Sequence, residues 1–388
     1  MAFLIDGYVP MYSTPFASLG DYALLVPPND GGVQCVEIST GNLIGPNVGD
    51  TDESRWHEAS GQIFYVSGSA LRRRDPDGGN DVLVRDFGVT ISIGGGEGGF
   101  GGDRLPLLDS NGVVSAYDVV TDELWSAPPV SGIDGAMITF DGTQLVASHS
   151  DGWHLYEFQG AALADVGKLG YSAGGGSHAD PGVLPDGRNC IVLTSSNWDN
   201  MPWPGGEQWM VAVPLDANWT DQDLLDGRIC QLQWGEVYHF ACHGQDVLVS
   251  AYGLGPGEIM TTTTGAQHLA PVFPVQTNPV MTPIASIANV PSDFWAQPHA
   301  AWSVEGDRAF WGEGDGTNYS THHTTVGAQP MSDLSERQDA LDTASPPIPW
   351  SADPEMVATG NTLLTFSDAS GDPVVEVYDA AGELVSVD

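Results

Sequence analysis

Three histidines stand shortly before apolar, strand-like runs of the chain and could bind a metal. They are His178, His239 and His299, and His57 occupies a similar position. Imidazole nitrogens are common ligands of transition metals, so three rings that converge would form a metal site. The distance from each histidine to the next repeat glycine differs, so the rings need not meet at one depth. The alternative is that hydrogen bonds to neighbouring strands satisfy each ring. We therefore predict His178, His239 and His299 as candidate metal ligands.

Polar segments rich in aromatic residues form a second kind of candidate site. Residues 197–206, 253–257 and 316–323 each follow an apolar run, so they should emerge at the same face of the fold. Exposed Trp and Tyr among Asn, Asp and Gly suit the recognition of a protein or a sugar. The alternative is that these aromatic side chains pack on each other and close the loops. The predicted partner-binding residues are Trp198, Trp203, Tyr319, His322 and His323.

Two acidic turns, residues 75–81 and 313–318, place oxygen ligands close together. Hard cations such as calcium and magnesium require several oxygens, but no complete twelve-residue calcium loop is present. Solvated turns are the alternative in a chain with this many acidic residues. We predict no required cofactor, with divalent or monovalent cations as the candidate ligands. No catalytic residue is assigned.

The elements that position these residues form a repeat. Each unit reads as a polar strand, a glycine turn, an apolar strand, a strand that alternates apolar and polar residues, and a short final strand. The first four turn glycines are about 41 residues apart, and the later ones are about 45 to 62 residues apart, as expected for one unit with longer loops. The glycines are Gly20, Gly61, Gly102, Gly142, Gly187, Gly244, Gly306 and Gly360.

Four strands in a unit of this length are typical of a β-propeller blade. We predict an all-β chain of about eight four-stranded blades, with seven as the alternative, in a single propeller domain over residues 1–388. The glycine turn should join the first and second strands of each blade, and strand content should exceed the roughly 20–25% of ordinary globular proteins. The predicted blades span residues 10–47, 54–88, 89–127, 133–168, 176–233, 235–274, 294–334 and 350–388.

One segment carries a family resemblance. His299-Ala-Ala-Trp302-Ser303-Val-Glu-Gly306 resembles the blade signature of TolB-type β-propellers, and residues 56–65 and 178–187 are partial copies, with Pro185-Asp186-Gly187 the one complete turn motif. The chain is also distantly similar to oligogalacturonate lyase-like propellers, whose histidines hold a divalent metal on one face. The resemblance supports the fold more than a function, because propellers have many functions.

The composition is strongly acidic. The chain has 51 Asp and Glu against 11 Lys and Arg, a net charge of −40, and Lys168 is its one lysine. Such one-sided charge destabilises a compact state by self-repulsion. In about 1 M salt the Debye length falls to roughly 3 Å, so the repulsion is screened. A hydrophobic fraction of 41% argues against disorder. We therefore predict that the protein comes from a halophile or its virus.

Several partners and locations can be judged from the same data. Nucleic acid binding needs clustered basic residues, so we predict none. No run approaches the 18 apolar residues of a membrane span, and the first residues lack the basic start of a signal peptide.

The four cysteines lack the spacing of a metal site or a disulfide framework, so buried thiols are expected. They are Cys35, Cys190, Cys230 and Cys242. We expect the chain to be made in the cytoplasm and to reside in a virion, or alternatively in the host cytoplasm.

Three hypotheses for function remain. The first is a virion structural or host-attachment protein of a virus that infects halophiles, in which a loop-rich propeller face recognises a partner. Its partners would be other virion or assembly proteins, or a protein or glycan of the cell envelope. The second is an intracellular propeller scaffold of a halophile. The third is a metal-assisted carbohydrate lyase or hydrolase, although a role without catalysis is favoured because no catalytic motif is assembled.

Overall fold

The structure is a computed structural model of the 388-residue chain. The residues that it describes are 7–10, 14–26, 32–50, 54–94, 102–169, 179–194, 202, 207–216, 219–233, 237–253, 257–266, 280–287, 297–314, 319–326, 350–351, 362–367, 373–378 and 384–387.

The protein is almost entirely β. Strands contain most of the described residues and helices only a few, so the strand content is well above the usual one, as the repeat predicts. The chain divides into two compact units, Met1–Thr325 and Val326–Asp388. Among the described residues, no helix has the length and apolar character needed to cross a lipid bilayer.

Over the described residues, the first unit contains seven four-stranded groups, here numbered sheets one to seven. The first strand of the chain, β1 (Gly7–Pro10), belongs to sheet seven. Sheet one contains β2 (Thr14–Leu19), β3 (Tyr22–Val26), β4 (Gly32–Glu37) and β5 (Asn42–Asp50). Sheet two contains β6 (Ser54–His57), β7 (Gln62–Ser67), β8 (Ala70–Arg74) and β9 (Val82–Asp86). Sheet three contains β10 (Ile91–Ile93), β11 (Arg104–Asp109), β12 (Val114–Asp118) and β13 (Leu124–Ser126). Sheet four contains β14 (Ile133–Ile138), β15 (Gln144–His149), β16 (Gly152–Gln159) and β17 (Ala162–Lys168).

The later sheets follow the same plan with longer connections. Sheet five contains β18 (Ala179–Val183), β19 (Asn189–Thr194), β20 (Gln208–Pro214) and β21 (Arg228–Leu232), with helix α1 (Asp221–Asp226) between its last two strands. Sheet six contains β22 (Val237–His243), β23 (Asp246–Tyr252), β24 (Gly257–Thr263) and β25 (Thr282–Ile287). Sheet seven contains β26 (Ala301–Trp302), β27 (Arg308–Gly314), β28 (Tyr319–Thr325) and β1. The second unit contains one sheet of β29 (Trp350–Ser351), β30 (Thr362–Ser367), β31 (Pro373–Tyr378) and β32 (Leu384–Val387).

Within each sheet, neighbouring strands pair antiparallel. The outermost strands β13 and β17 of sheets three and four also meet, through one parallel bridge between Ser126 and Ala162. Pro106 lies inside β11, where proline is poorly tolerated, yet the strand forms. Its carbonyl oxygen still accepts a hydrogen bond from the Gly94 amide at 2.8 Å, so the sheet keeps an acceptor at this position.

The repeat glycines lie where the sequence predicts them. Each of those that the structure describes joins the first and second strands of its sheet and has a positive φ, from 57° at Gly20 to 87° at Gly187. Side chains rarely adopt this backbone conformation, which explains why glycine marks the turn in these seven sheets. The prediction is confirmed for Gly20, Gly61, Gly102, Gly142, Gly187, Gly244 and Gly306. Gly360 lies outside the described residues.

The apolar core lies between neighbouring sheets. Each cluster of buried side chains takes its members mainly from two successive sheets, as in the cluster that joins Met210 of sheet five to Phe240 of sheet six. Phe310 of sheet seven packs with Leu25 and Val36 of sheet one. The four cysteines are buried free thiols, and burial raises the pKa of Cys190 and Cys230 to about 12. The expected buried thiols are therefore confirmed.

The seven sheets of the first unit contact one another in cyclic order. The first strand of each sheet contacts the sheet before it, and β2 of sheet one contacts β26 and β27 of sheet seven. β1 completes sheet seven, since Gly7–Pro10 pairs antiparallel with β28. The sequence placed the whole seventh blade within 294–334, and the pairing of β1 differs from that expectation. A single domain over residues 1–388 stays a prediction.

The additional residues of the later sheets lie in two kinds of connection, between second and third strands and between third and fourth strands. The sequence predicted that the longer segments emerge at one face, so this distribution differs from the expectation. Some of these residues follow second strands, but α1 and residues 264–281 connect third strands to fourth strands. Thr220 caps α1 by accepting from the Asp223 amide, while the Asp223 carboxylate accepts from the Thr220 amide. This reciprocal pair satisfies amides at the helix start and stabilises so short a helix.

Candidate functional site

Two of the three predicted metal-binding histidines come together where the chain enters the innermost strands of sheets six and seven. His239 lies near the start of β22, and His299 lies just before β26. The two strands contact each other, so residues at their starting ends are neighbours. The third predicted ligand, His178, lies outside the described residues.

The His239 and His299 rings form a close, buried pair. Their centroids are 4.2 Å apart, the ring planes meet at 65°, and the residues are 2% and 4% exposed. His239 Nε2 lies 2.7 Å from Tyr252 Oη, and Tyr252 Oη donates to Gln297 Oε1 at 2.6 Å. Because the tyrosine proton points to Gln297, the Tyr252 oxygen accepts from His239 Nε2.

This pair offers at most two imidazole ligands from described residues. Among those residues, neither histidine belongs to a group of three ligating side chains. Transition-metal sites in proteins commonly use three or four ligands. The role of His178, His239 and His299 as metal ligands thus stays a prediction. His57 does not join the pair, because it ends β6 and its ring contacts Ser60 and Asp103.

The predicted partner-binding histidines lie in a strand and not in a loop. β28 begins at Tyr319, so His322 and His323 belong to a paired strand and the connection shortens to 315–318. The His322 ring stacks on Trp311 with centroids 6.0 Å apart. Its Nε2 lies 3.2 Å from Glu313 Oε2 and 2.8 Å from Ser320 Oγ.

Burial controls the electrostatics of His322, whose side chain is 17% exposed. Burial lowers the pKa of His322, because the charged ring loses hydration, and the Glu313 carboxylate partly opposes that effect. His323 lies beside Phe310, with ring centroids 5.5 Å apart. Trp198 and Trp203 lie outside the described residues. Partner binding by these five residues stays a prediction.

A third cluster was missed by the sequence reasoning. His149 ends β15, Asp151 lies in the tight turn, and His154 lies in β16. These are the three residues, within the described part of the chain, whose ligating atoms all lie within 4.8 Å of one another. The signal was available in the order His-x-Asp-x-x-His, because a two-residue hairpin turn places both histidines on one face of the paired strands.

The surroundings of this cluster are polar. His154 Nδ1 lies 3.0 Å from Asp165 Oδ2, and His154 Nε2 lies 3.1 Å from Asp151 Oδ1. Burial and the nearby His154 lower the pKa of His149, while Asp165 and Asp151 oppose the shift. His149 is 7% exposed, whereas the Asp151 side chain is 63% exposed.

No protein-family model matches the sequence, and no curated protein matches it. Solved structures are similar in fold. Oligogalacturonate lyase from Vibrio parahaemolyticus is 11% identical, with 83% of this chain and 92% of that chain covered and a TM-score of 0.51. The β-propeller domain of Cps50 (Swd1) from Myceliophteria thermophila is 11% identical, with 83% and 99% covered and a TM-score of 0.50. At such identity the likeness shows the fold alone, and the chain has a β-propeller fold.

Proposed function

We propose that this β-propeller is a recognition protein, and specifically a virion structural or host-attachment protein of a virus that infects halophiles. The observation that carries the proposal is topological. β19, β23 and β27 are the second strands of three consecutive sheets. The connection after β19 is rich in Trp, Asn and Asp, the one after β23 is rich in Gly, and the one after β27 is polar. Connections that leave equivalent strands of a propeller emerge at the same face, and such connections commonly carry binding.

The charge of the chain supports a high-salt setting for this recognition. The net charge is −40, and many described basic side chains pair with acids, as Arg72 does with Asp81 at 3.0 Å. The remaining carboxylates outnumber the cations, so repulsion is large unless salt screens it. A protein exposed to concentrated salt would tolerate this composition, whether it belongs to a virus or to a halophilic cell.

The test compares the unchanged chain, the double variant W198S/W203S and one matched control for binding to halophilic envelopes. All are measured in about 3 M KCl, where the Debye length is below the roughly 3 Å at 1 M and charge repulsion is screened. W198S and W203S remove the aromatic residues of the 195–207 connection. V120S removes a 64% exposed apolar side chain from a turn between the third and fourth strands of sheet three. Buried interface tryptophans commonly carry over 2 kcal/mol, so the double variant should bind halophilic envelopes at least about tenfold more weakly.

The control should bind envelopes as the unchanged chain does. Equal binding by W198S/W203S and the unchanged chain would overturn the assignment of this face. If the chain binds no envelope but copurifies with soluble host proteins, the intracellular scaffold replaces the attachment protein.

The buried histidine pair favours a second candidate function, a metal-assisted carbohydrate lyase or hydrolase. His239, His299 and Tyr252 place two imidazoles and a phenol together near the innermost strands. A net charge of −40 disfavours polyanionic substrates, so neutral sugars are the substrates to test. Cleavage of neutral oligosaccharides that H239N and H299N both abolish, with envelope binding unchanged, would favour the enzyme.

A further inference from the structure

We infer that the hairpin between β15 and β16 in sheet four carries a site for a first-row transition-metal dication, with His149, Asp151 and His154 as its ligands. The inference is independent of the proposed recognition face and of the histidine pair in sheets six and seven. It rests on three ligating atoms within 4.8 Å of one another and on the groups that hold both imidazoles.

The hairpin register brings the ligands together. His149 pairs with Gly152 across the turn, and Ala147 pairs with His154. Directly paired residues and residues two apart on one strand share a face, so His149 and His154 lie on the same face of the sheet. Their rings stack with centroids 4.0 Å apart and planes at 16°. Asp151 lies in the intervening turn and reaches His154 Nε2.

In each imidazole, the ring nitrogen that faces away from the proposed metal contacts a further polar side chain. Asp165 Oδ2 contacts His154 Nδ1 at 3.0 Å, and Tyr156 Oη contacts His149 Nε2 at 2.9 Å. Metal-binding histidines usually have such a partner on the ring nitrogen that does not bind the metal. This arrangement assigns His154 Nε2 and His149 Nδ1 to the metal. Asp165 is a positioning residue for His154.

Binding requires a modest local contraction. Bonds of about 2.0–2.1 Å in a tetrahedral site place ligand atoms roughly 3.3 Å apart. His154 Nε2 and Asp151 Oδ1 already meet this distance at 3.1 Å. The His149 ring must tilt out of its stacked orientation, because the lone pairs of parallel rings do not converge. Solvent can complete the coordination, because the Asp151 side chain is 63% exposed.

The ligand set selects the class of metal. Two imidazoles and one carboxylate suit zinc, cobalt, nickel or copper, whereas calcium and magnesium prefer oxygen ligands throughout. Lys168 Nζ lies 3.9 Å from Asp151 Oδ2, so a cation already neutralises part of this carboxylate. Lys168 is the one lysine in the chain and should compete weakly with a metal.

The experiment titrates the full-length chain with Co²⁺ in about 3 M KCl, where diffuse attraction of cations to the acidic surface is screened. Visible absorption reports imidazole coordination, calorimetry gives the stoichiometry, and Zn²⁺ is the competitor. The variants are D151N, H154Q, D165N and K168Q. The matched control is D122N, which removes a turn carboxylate with a 75% exposed side chain in sheet three. H239N reports separately on any Co²⁺ bound at the buried histidine pair.

We expect one Co²⁺ per chain, displaced by Zn²⁺. H154Q should abolish the absorption band, and D165N should weaken binding about 10- to 100-fold, the usual effect of removing a histidine's outer partner. D151N should weaken it at least about tenfold, since a ligand is lost. K168Q should strengthen binding about two- to fivefold, as expected for an exposed ion pair. D122N should bind as the unchanged chain does.

Absence of the band in the unchanged chain would overturn the proposal. So would a band that D151N, H154Q and D165N leave intact, or one that H239N abolishes. Thermal unfolding monitored by circular dichroism accompanies each titration. If H154Q does not fold, the exposed D151N and the positioning variant D165N decide the result, because neither removes a buried ring.

Discussion

Ser18 and Ser303 are joined by a parallel backbone bridge, and the Val304 amide donates to the Ser18 carbonyl oxygen at 2.8 Å. Ser18 lies in sheet one, and Ser303 directly follows β26 of sheet seven. The beginning and the end of the first unit are therefore linked by hydrogen bonds. Phe310 adds an apolar contact between the same two sheets. Sheets one and seven of the first unit are thus joined by contacts between residues within Met1–Thr325.

We predict that a chain ending at Thr325 folds with nearly unchanged stability, whereas deletion of residues 1–10 destabilises the first unit. β1 contributes four cross-strand pairs to sheet seven. At roughly 0.2–1 kcal/mol for each pair, their loss should cost about 1 to 4 kcal/mol. Urea unfolding in about 3 M KCl, with both truncated chains compared with the full chain, measures the two effects.

Deletion of residues 1–6 alone is the matched control, since β1 begins at Gly7 and its pairing with β28 is kept. Unfolding of the chain that ends at Thr325 would show that the first unit depends on residues 326–388. That result would favour the eight blades expected from the sequence over the alternative of seven.

The sequence was sufficient to predict the repeat because glycine has a specific backbone task in each unit. Left-handed turns need glycine, so the repeat glycines marked the junction of the first two strands. β1 could not be assigned to sheet seven in the same way. Gly7–Pro10 is only four residues long, and its partner β28 is distant in the chain. Short-range patterns carry no information about such a pairing.

The candidate sites were predictable to different degrees. His239 and His299 were found because both lie near the start of an innermost strand, and such positions converge in a propeller. The cluster of His149, Asp151 and His154 was missed because its recognition requires the register of one hairpin. The contact of His154 with Asp165 also depends on a bulged pairing between β16 and β17. A local irregularity of this kind leaves little trace in composition.

The second prediction concerns the stability cost of replacing a turn glycine with alanine. Two positions distinguish the cost of a strained backbone from the cost of steric overlap. Gly61 has φ 64° and an added Cβ would meet nothing within 4 Å, so G61A should cost only the conformational strain of about 1–2 kcal/mol. At Gly306, with φ 73°, a Cβ would also overlap the His243 ring. G306A should therefore cost at least roughly 1 kcal/mol more than G61A, as overpacking usually does.

Urea unfolding of both variants in the same high-salt buffer measures these costs. G135A is the control, because Gly135 lies in β14 without a positive φ and an added Cβ meets nothing within 4 Å. Its stability should change by about 0.5 kcal/mol or less, as for substitutions without a strained backbone. Equal costs for G61A and G306A would mean that the His243 ring moves aside freely.

A third prediction concerns acidification. Burial lowers the pKa of His322 in the folded chain below its ordinary value of 6.5, with Glu313 opposing the effect. The unfolded chain therefore takes up a proton before the folded chain does, and this residue's contribution to stability is lost as the pH falls below 6.5 toward the lower folded pKa. Above pH 6.5 both states are neutral at this residue and the contribution is constant.

H322Q should consequently lose less stability than the unchanged chain between about pH 8 and pH 5, because one source of preferential proton uptake is removed. Urea midpoints at several pH values provide the measurement. S320A is the control, since it removes the hydroxyl that lies 2.8 Å from His322 Nε2 but leaves the ring titratable. A pH dependence identical in H322Q and the unchanged chain would contradict the prediction.

The fourth prediction follows from the surplus of carboxylates. Dilution from about 1 M to 0.1 M salt lengthens the Debye length from roughly 3 Å to 10 Å, so repulsion across the acidic surface increases. We expect the unfolding temperature to fall steeply on dilution of KCl. Divalent cations should protect the protein at lower concentrations than sodium, because each carries twice the charge.

Neutralising exposed acids should reduce this dependence on salt. Glu58, Glu123 and Glu157 are exposed and take part in no ion pair among the described residues, so the triple variant E58Q/E123Q/E157Q removes repulsion without breaking a described ion pair. R188Q is the opposite control, since Arg188 pairs with Asp186 at 2.9 Å and its loss adds to the negative surplus. The triple variant should unfold at a lower KCl concentration than the unchanged chain, and R188Q at a higher one.

Sucrose is a control for effects other than charge screening, since it raises stability by exclusion from the protein surface. At low KCl, sucrose should not restore the unfolding temperature that the chain has in concentrated KCl. An unfolding temperature that stays constant between about 0.1 M and 3 M KCl would show that repulsion between the carboxylates does not destabilise the folded chain.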